Sequence, residues 1–209
     1  MRLSNSHRQF LLRATQQYSS HIDQAEEYLL TRHLSVDEAK RFHLGVVVDP
    51  LPGHEQFTNR LAIPYVTPSG VVDIRFRAMH GEEPKYMGMA GAQTTMFNTQ
   101  ACFVAQKYIC VTEGEFDCVI MSVKTEHPTI GIPGANNWKP HYSRILDDFD
   151  MVIILTDGDK AGTEFGKKII RELPNAAMVP MPDGEDVNST FIKQGKDWID
   201  ERIRDCITA

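Results

Sequence analysis

Six residues, Met151-Val152-Ile153-Ile154-Leu155-Thr156, constrain this chain more than any others. Five are apolar, and Val152, Ile153 and Ile154 are β-branched, the pattern of a strand buried on both faces of a parallel sheet. Asp157-Gly158-Asp159 follows at once, and Lys160-Ala161-Gly162 opens a run of helical character. Ligands of open α/β sheets gather beyond the carboxyl ends of the strands, so Asp157 and Asp159 stand where chemistry is expected. Two carboxylates held close repel unless a cation lies between them, and hard oxygen donors suit Mg2+. Asp-Gly is also a turn signal, with Asp159 able to cap the next helix, and the pair alone leaves both readings open.

The same alternation runs from Tyr108 onward. Tyr108-Ile109-Cys110-Val111-Thr112 predicts a strand that ends at Glu113-Gly114-Glu115-Phe116-Asp117. A helix through Cys118, Val119, Met121 and Val123 leads to a strand near Thr129–Ile132. Pro133-Gly134-Ala135-Asn136-Asn137 then turns into a helix around Tyr142 to Leu146. After the Met151–Leu155 strand comes a helix with Phe165, Ile169 and Ile170 inward. Lys167, Lys168 and Arg171 fall toward its cation-favouring end, and Pro174 stops it. Ala176-Ala177-Met178-Val179 reads as a fourth strand. Pro182-Asp183-Gly184-Glu185-Asp186-Val187-Asn188 brings further acids, and Asn188 or Ser189 can cap a closing helical region to about Ile207.

Glu113, the Asp157/Asp159 pair and Asp186 therefore each follow a predicted strand. In a parallel sheet those strand ends lie side by side, and the three acidic clusters converge. One acidic pair after a strand is a turn; three such clusters are improbable as coincidence. Four or more convergent carboxylates suit one or two Mg2+ ions and phosphate chemistry. Asp117 reads either as a secondary member of that group or as a first-turn carboxylate favoured by the helix dipole.

The first half is different in character. Phe10, Leu11, Ala14 and Tyr18 share a helical face, which Ile22, Ala25, Tyr28 and Leu29 continue. Ser35-Val36-Asp37-Glu38 has capping-box spacing and starts a short helix that finishes before Gly45. Beyond it, Leu61–Val66 and Val71–Arg77 flank Thr67-Pro68-Ser69-Gly70 as a hairpin. In the second strand Asp73, Arg75 and Arg77 alternate with Val72, Ile74 and Phe76, so both arginines share a face. With Arg60, Lys85 and Tyr86 they could form a basic face beside an aromatic, suited to phosphate contact and base stacking. Alternating charge is also ordinary on the wet face of a hairpin.

A chain of 209 residues can bury a core as one domain or two small lobes. Its net charge is −6, which ordinarily argues against a nucleic-acid partner. Residues 1–100 carry ten Lys/Arg and ten Asp/Glu against twelve and eighteen in residues 101–209, so the excess sits with the acidic clusters, where bound cations would offset it. Cys102, Cys110, Cys118 and Cys206 show no C-x-x-C pairing, which reads as free thiols in a reducing cytosol and argues against a structural zinc. No apolar run approaches membrane-spanning length, and Met1-Arg2-Leu3-Ser4 lacks the apolar core of a signal peptide.

Glu113-Gly114 after one strand and Asp157-Gly158-Asp159 after a later one resemble the Toprim fold shared by bacterial-type primases, topoisomerases and some nucleases. Asn59-Arg60-Leu61-Ala62-Ile63-Pro64-Tyr65 resembles the segment that opens the polymerase core of DnaG-type primases. Arg75-Phe76-Arg77 and Pro84-Lys85-Tyr86 are similar to that family's basic motifs. The stretch from Ala25-Glu26-Glu27-Tyr28-Leu29 to Phe42-His43-Leu44-Gly45 is similar to its helical lead-in. The resemblance implies an α/β fold: a Toprim-like parallel sheet flanked by helices, preceded by a small helical and mixed α+β subdomain. The expected divisions are a helical segment 1–44, a basic mixed-strand subdomain 45–107, a Toprim domain 108–190 and a C-terminal helical segment 191–209.

It further implies a DNA-directed RNA polymerase of primase type, a nucleotidyltransferase making short RNA primers on single-stranded DNA from nucleoside triphosphates. Glu113, Asp157 and Asp159 would be catalytic, and with Asp186 would hold Mg2+ (or Mn2+), while Asp117 would be a secondary acid. Arg60, Arg75, Arg77, Lys85 and Tyr86 would bind nucleotide or DNA. The pattern departs from DnaG at Asn188, where an aspartate is expected, and Asp186-Val187-Asn188 and Pro133-Gly134-Ala135 resemble the phage primase-helicase branch. The lysine expected around Thr95-Met96-Phe97-Asn98 is not evident. No zinc-binding module precedes the core and no G-x-x-x-x-G-K-[ST] loop follows, so a separate zinc-binding subunit and a replicative helicase are the expected partners, in the cytoplasm of the cell or phage host. A Toprim nuclease and a non-catalytic single-stranded-DNA-binding module are the rival readings.

Overall fold

The computed structural model describes residues 3–92, 95–134 and 137–208, so Ala135 and Asn136 of the Pro133–Asn137 turn lie outside the described residues. The chain divides into two compact units, Met1–Gln93 and Thr94–Ala209.

In the first unit, α1 (Asn5–Ser19) starts at Ser4, whose hydroxyl accepts the His7 amide. It buries Leu11, Ala14 and Tyr18 as one stripe. After α2 (Glu26–Thr31), α3 (Val36–Arg41) opens on the expected capping box, with Ser35 and Glu38 each accepting the other's amide. Then β1 (Gly45–Val46), β2 (Leu61–Thr67), β3 (Gly70–Arg77) and β4 (Tyr86–Met87) form an antiparallel sheet in chain order. A register shift opposite Tyr65/Val66 moves the phase of β3 by one residue, so Val71 rather than Val72 joins Ile74 and Phe76 in the core.

The second unit begins with the short α4 (Ala101–Val104) and then winds a four-stranded parallel sheet. Its elements are β5 (Tyr108–Thr112), α5 (Glu115–Ile120), β6 (Thr129–Gly131), α6 (Pro140–Leu146), β7 (Met151–Thr156), α7 (Lys160–Glu172) and β8 (Ala176–Pro180). It closes with α8 (Val187–Gln194) and α9 (Lys196–Thr208), which Gly195 separates. The strand order is β6-β5-β7-β8. Chain direction across the sheet reverses after β6, and right-handed crossovers in opposite directions place their helices on opposite faces. Accordingly Ile109, Val111, Val152 and Ile154 pack with Leu146 of α6 and Phe165 and Ile169 of α7. Cys110, Ile153 and Leu155 pack on the other face with Met121, Val187, Ile199 and Ile203. Both faces of β7 are thus buried, which is why its sequence is an unbroken apolar run.

The expected inward face of α7 is corrected. The buried stripe of α7 is Gly162, Phe165, Gly166 and Ile169, while Ile170, one residue further round the helix, is exposed. The segment around Thr95-Met96-Phe97-Asn98 covers the edge of the sheet: Phe97 and Gly131 exchange backbone bonds (2.8 and 3.1 Å), and Asn98 donates to the Thr129 carbonyl. No helix among the described residues is long and apolar enough to cross a membrane.

The first unit's core contains a buried polar pin. The Tyr18 hydroxyl accepts the Leu51 amide (3.1 Å) and also hydrogen-bonds His54 Nδ1 (2.8 Å). The His54 ring lies among those of Phe10, Phe57 and Phe76. Burial holds its pKa below the usual histidine value. Tyr18→Phe strands both partners without opening space, and should lower unfolding free energy by about 2 kcal/mol in urea melts of the full chain.

Candidate active site

The reversal of winding puts a switch point between β5 and β7, and Glu113 and Asp157 leave those two strands side by side. The Glu113 carboxylate accepts the Asp157 amide at 3.1 Å. Asp159 is the N-cap of α7, its Oδ1 accepting the Gly162 amide at 2.7 Å. The loop after β8 closes over the same edge. Gly158 donates to the Glu185 carbonyl (2.8 Å), and Gly184 donates to the Gly158 carbonyl (2.7 Å). The loop after β6 joins them, the Gly134 amide donating to the Glu113 carbonyl at 3.2 Å.

Two glycines make this approach possible. A Cβ at Gly158 would collide with the Pro182 carbonyl, and one at Gly162 would lie 2.8 Å from Glu113 Oε1 and against the Asp157 backbone. Reading carboxylates alone overlooks both, although their i, i+4 spacing directly after a buried strand is visible in Gly158-Asp159-Lys160-Ala161-Gly162.

Asp186 is the N-cap of α8, in place of the expected Asn188 or Ser189. Its Oδ1 accepts the Ser189 amide (2.7 Å), and Ser189 Oγ accepts the Asp186 amide (2.9 Å). Ser189 thus closes the box from the position where Glu or Gln is usual. Asp117 is buried, and its Oδ1 accepts the Asn188 amide at 3.1 Å. The structure therefore brings Glu113, Asp157 and Asp159 together at the switch point, with Asp117 and Asp186 at the start of α8.

Burial is the main reason the Glu113 carboxyl rises to a pKa of about 7, and the charges of Asp159 and Asp117 push the same way against the Asp157 amide. Among the described residues, no three Asp, Glu, His or Cys side chains form a ready-made ion cage. The donors nevertheless have the chemistry of a hard-cation site: carboxylate oxygens whose mutual repulsion a divalent ion would relieve.

The basic residues of the first unit divide into two kinds. Arg60 is 7% exposed and donates to the Pro84 carbonyl (2.8 Å). Arg77 is 5% exposed and donates to the hydroxyls of Tyr28 and Tyr86. Arg75 lies over the Tyr86 ring, 4.5 Å from its centroid, and Lys85 is exposed. Tyr28, Arg32, Arg77, Glu82, Glu83 and Lys85 line part of an open cavity of about 210 Å³.

With divalent ions chelated, the raised Glu113 carboxyl binds its proton more tightly in the folded chain than in the unfolded one. That stabilisation is complete below its ordinary value of 4.5 and lost as pH rises through about 7. Glu113→Gln should therefore melt progressively higher than the parent as pH climbs from 5 to 8 in EDTA. A constant difference in melting temperature would refute this.

Residues 110–191 match the Toprim-like family. The Gene 57 protein of Mycobacterium phage D29 is 43% identical over 148 residues, covering 68% of this chain and 97% of that protein. A DNA primase of Salmonella typhimurium is 24% identical over 176 residues, 78% of this chain but only 29% of the primase, so the chain spans less than a third of that relative. Among solved structures, a DnaG primase catalytic domain bound to ssDNA superposes with a TM-score of 0.79 at 20% identity, covering 96% of this chain and 80% of the other. The chain thus carries a Toprim-like domain over residues 110–191, belongs to one family with the Gene 57 protein of phage D29, and has the fold of a DnaG primase catalytic core.

Proposed function

We propose that the chain is a primase catalytic core, a nucleotidyltransferase that makes short RNA primers on single-stranded DNA from nucleoside triphosphates. The observation that carries this reading is the meeting of Glu113 with Asp157 and Asp159 at the β5/β7 switch point. Asp157 and Asp159 would hold Mg2+ (or Mn2+), with Asp186 as an outer ligand, and the ion would neutralise charge on the transferred phosphate. Glu113, with a proton affinity near neutrality, is suited to take the proton of an attacking 3′-hydroxyl on its carboxylate. Gly158 and Gly162 keep the surrounding backbone fixed and leave room for that carboxylate.

On the first unit, Arg75, Lys85 and the Tyr86 ring are the groups placed to meet phosphate and base. Arg60 and Arg77 support them by holding the Pro84 carbonyl and the tyrosine hydroxyls. A zinc-binding module and a replicative helicase would be partners in the reaction.

Asp157→Asn or Asp159→Asn should reduce primer synthesis by about 100-fold or more, measured with labelled nucleotides on single-stranded DNA. Asn at 159 keeps an oxygen for the Gly162 amide, so the melting temperature should hold. Full synthesis by the Asp159→Asn chain would overturn the reading, and metal-dependent cleavage without nucleotide-dependent growth would replace it with a nuclease. Lys85→Ala should weaken single-stranded DNA binding and reduce the slope of log K against log salt by about 0.7. Arg77→Ala should lower the melting temperature, because it empties a buried position between two tyrosines.

A further inference from the structure

Asp117 is a buried carboxylate to which the proposed chemistry gives no task. It is the third residue of α5, whose N-cap, Gly114, has no side chain to offer. A Cβ at Gly114 would lie 2.5 Å from Asp117 Oδ2, so that glycine gives the carboxylate its place beside the start of its own helix. The other oxygen, Oδ1, accepts the amide of Asn188, 71 residues away.

Asn188 is the second residue of α8, and its amide is one of the first-turn donors that no helix can satisfy internally. Asp186 caps the next donor, that of Ser189, but cannot also reach this one. Asn188 is 2% exposed, so water does not readily replace the bond. Immediately before α8 lies the loop whose Gly184 and Glu185 hold Gly158 by two backbone bonds.

We propose that Asp117 is a positioning residue: it caps α8 from a distance and thereby fixes the 181–186 loop against Asp157-Gly158-Asp159. One negative charge serves the amino ends of two helices, where it is favoured twice over.

The inference rests on the site assigned above, and its test separates the two. Amide hydrogen exchange over residues 182–192 and Mn2+ binding, followed by the electron paramagnetic resonance of free ion, are measured on the full chain without nucleotides. Asp117→Asn keeps an acceptor oxygen and should preserve both exchange protection and Mn2+ affinity. Asp117→Ala removes the cap and should speed exchange over 182–192 by about fivefold or more, while the β5 and β7 amides stay protected. In primer synthesis kcat should fall further in Asp117→Ala than in Asp117→Asn, with little change in KM for nucleotide. A tenfold loss of Mn2+ affinity in Asp117→Asn would make Asp117 an ion ligand and overturn the proposal, as would unchanged exchange in Asp117→Ala. If the alanine chain does not fold, Mn2+ affinity of the asparagine chain decides alone. If the parent chain binds no Mn2+, the ion assignment fails while the exchange comparison still tests the cap.

Discussion

The acidic edge exists because backbone can touch backbone at Gly158. Its amide and carbonyl both bond to the loop after β8, and any side chain there would strike the Pro182 carbonyl. Those two hydrogen bonds hold the Asp183–Asp186 segment beside Asp157 and Asp159. Carboxylates are drawn together here by amide donors: those of Asp157, Gly162, Asn188 and Ser189 each hold one acid. At Glu113 the Asp157 amide offsets part of the burial and like-charge repulsion that raise its pKa.

That arrangement separates two jobs that acidic residues perform on one sheet edge. Asp159 and Asp186 are helix caps as well as candidate ligands, so each is oriented before any ion arrives. Glu113 caps nothing and instead reaches across the gap between strands. Asymmetry of this sort, with one carboxyl kept protonatable by burial, suits general acid–base work.

Much of this was legible in the residues. Buried strands announce themselves as apolar runs, and the order strand, acid, helix recurs at Glu113, Asp157 and Asp186. The capping box at Ser35 and the hairpin around Gly70 follow from local chemistry and match the structure. What stayed hidden depends on contacts distant in sequence. The Asn188 amide's need for Asp117, the collision that forbids a side chain at Gly158, and the burial of Arg60 and Arg77 against Pro84 and the tyrosines are not properties of any window of residues. The shift of Val71 into the core is likewise invisible, because it arises from a bulge set by the partner strand.

β7 is hydrogen-bonded along both sides, to β5 and β8, and its Val152, Ile153, Ile154 and Leu155 have no exposed surface. Such a strand is among the last parts of a protein to open in thermal fluctuation. Asp157 is attached directly to its end, whereas Asp186 caps α8 beyond the loop after β8. Breathing of the molecule should therefore reach the α8 end of the acidic edge before the end held by β7.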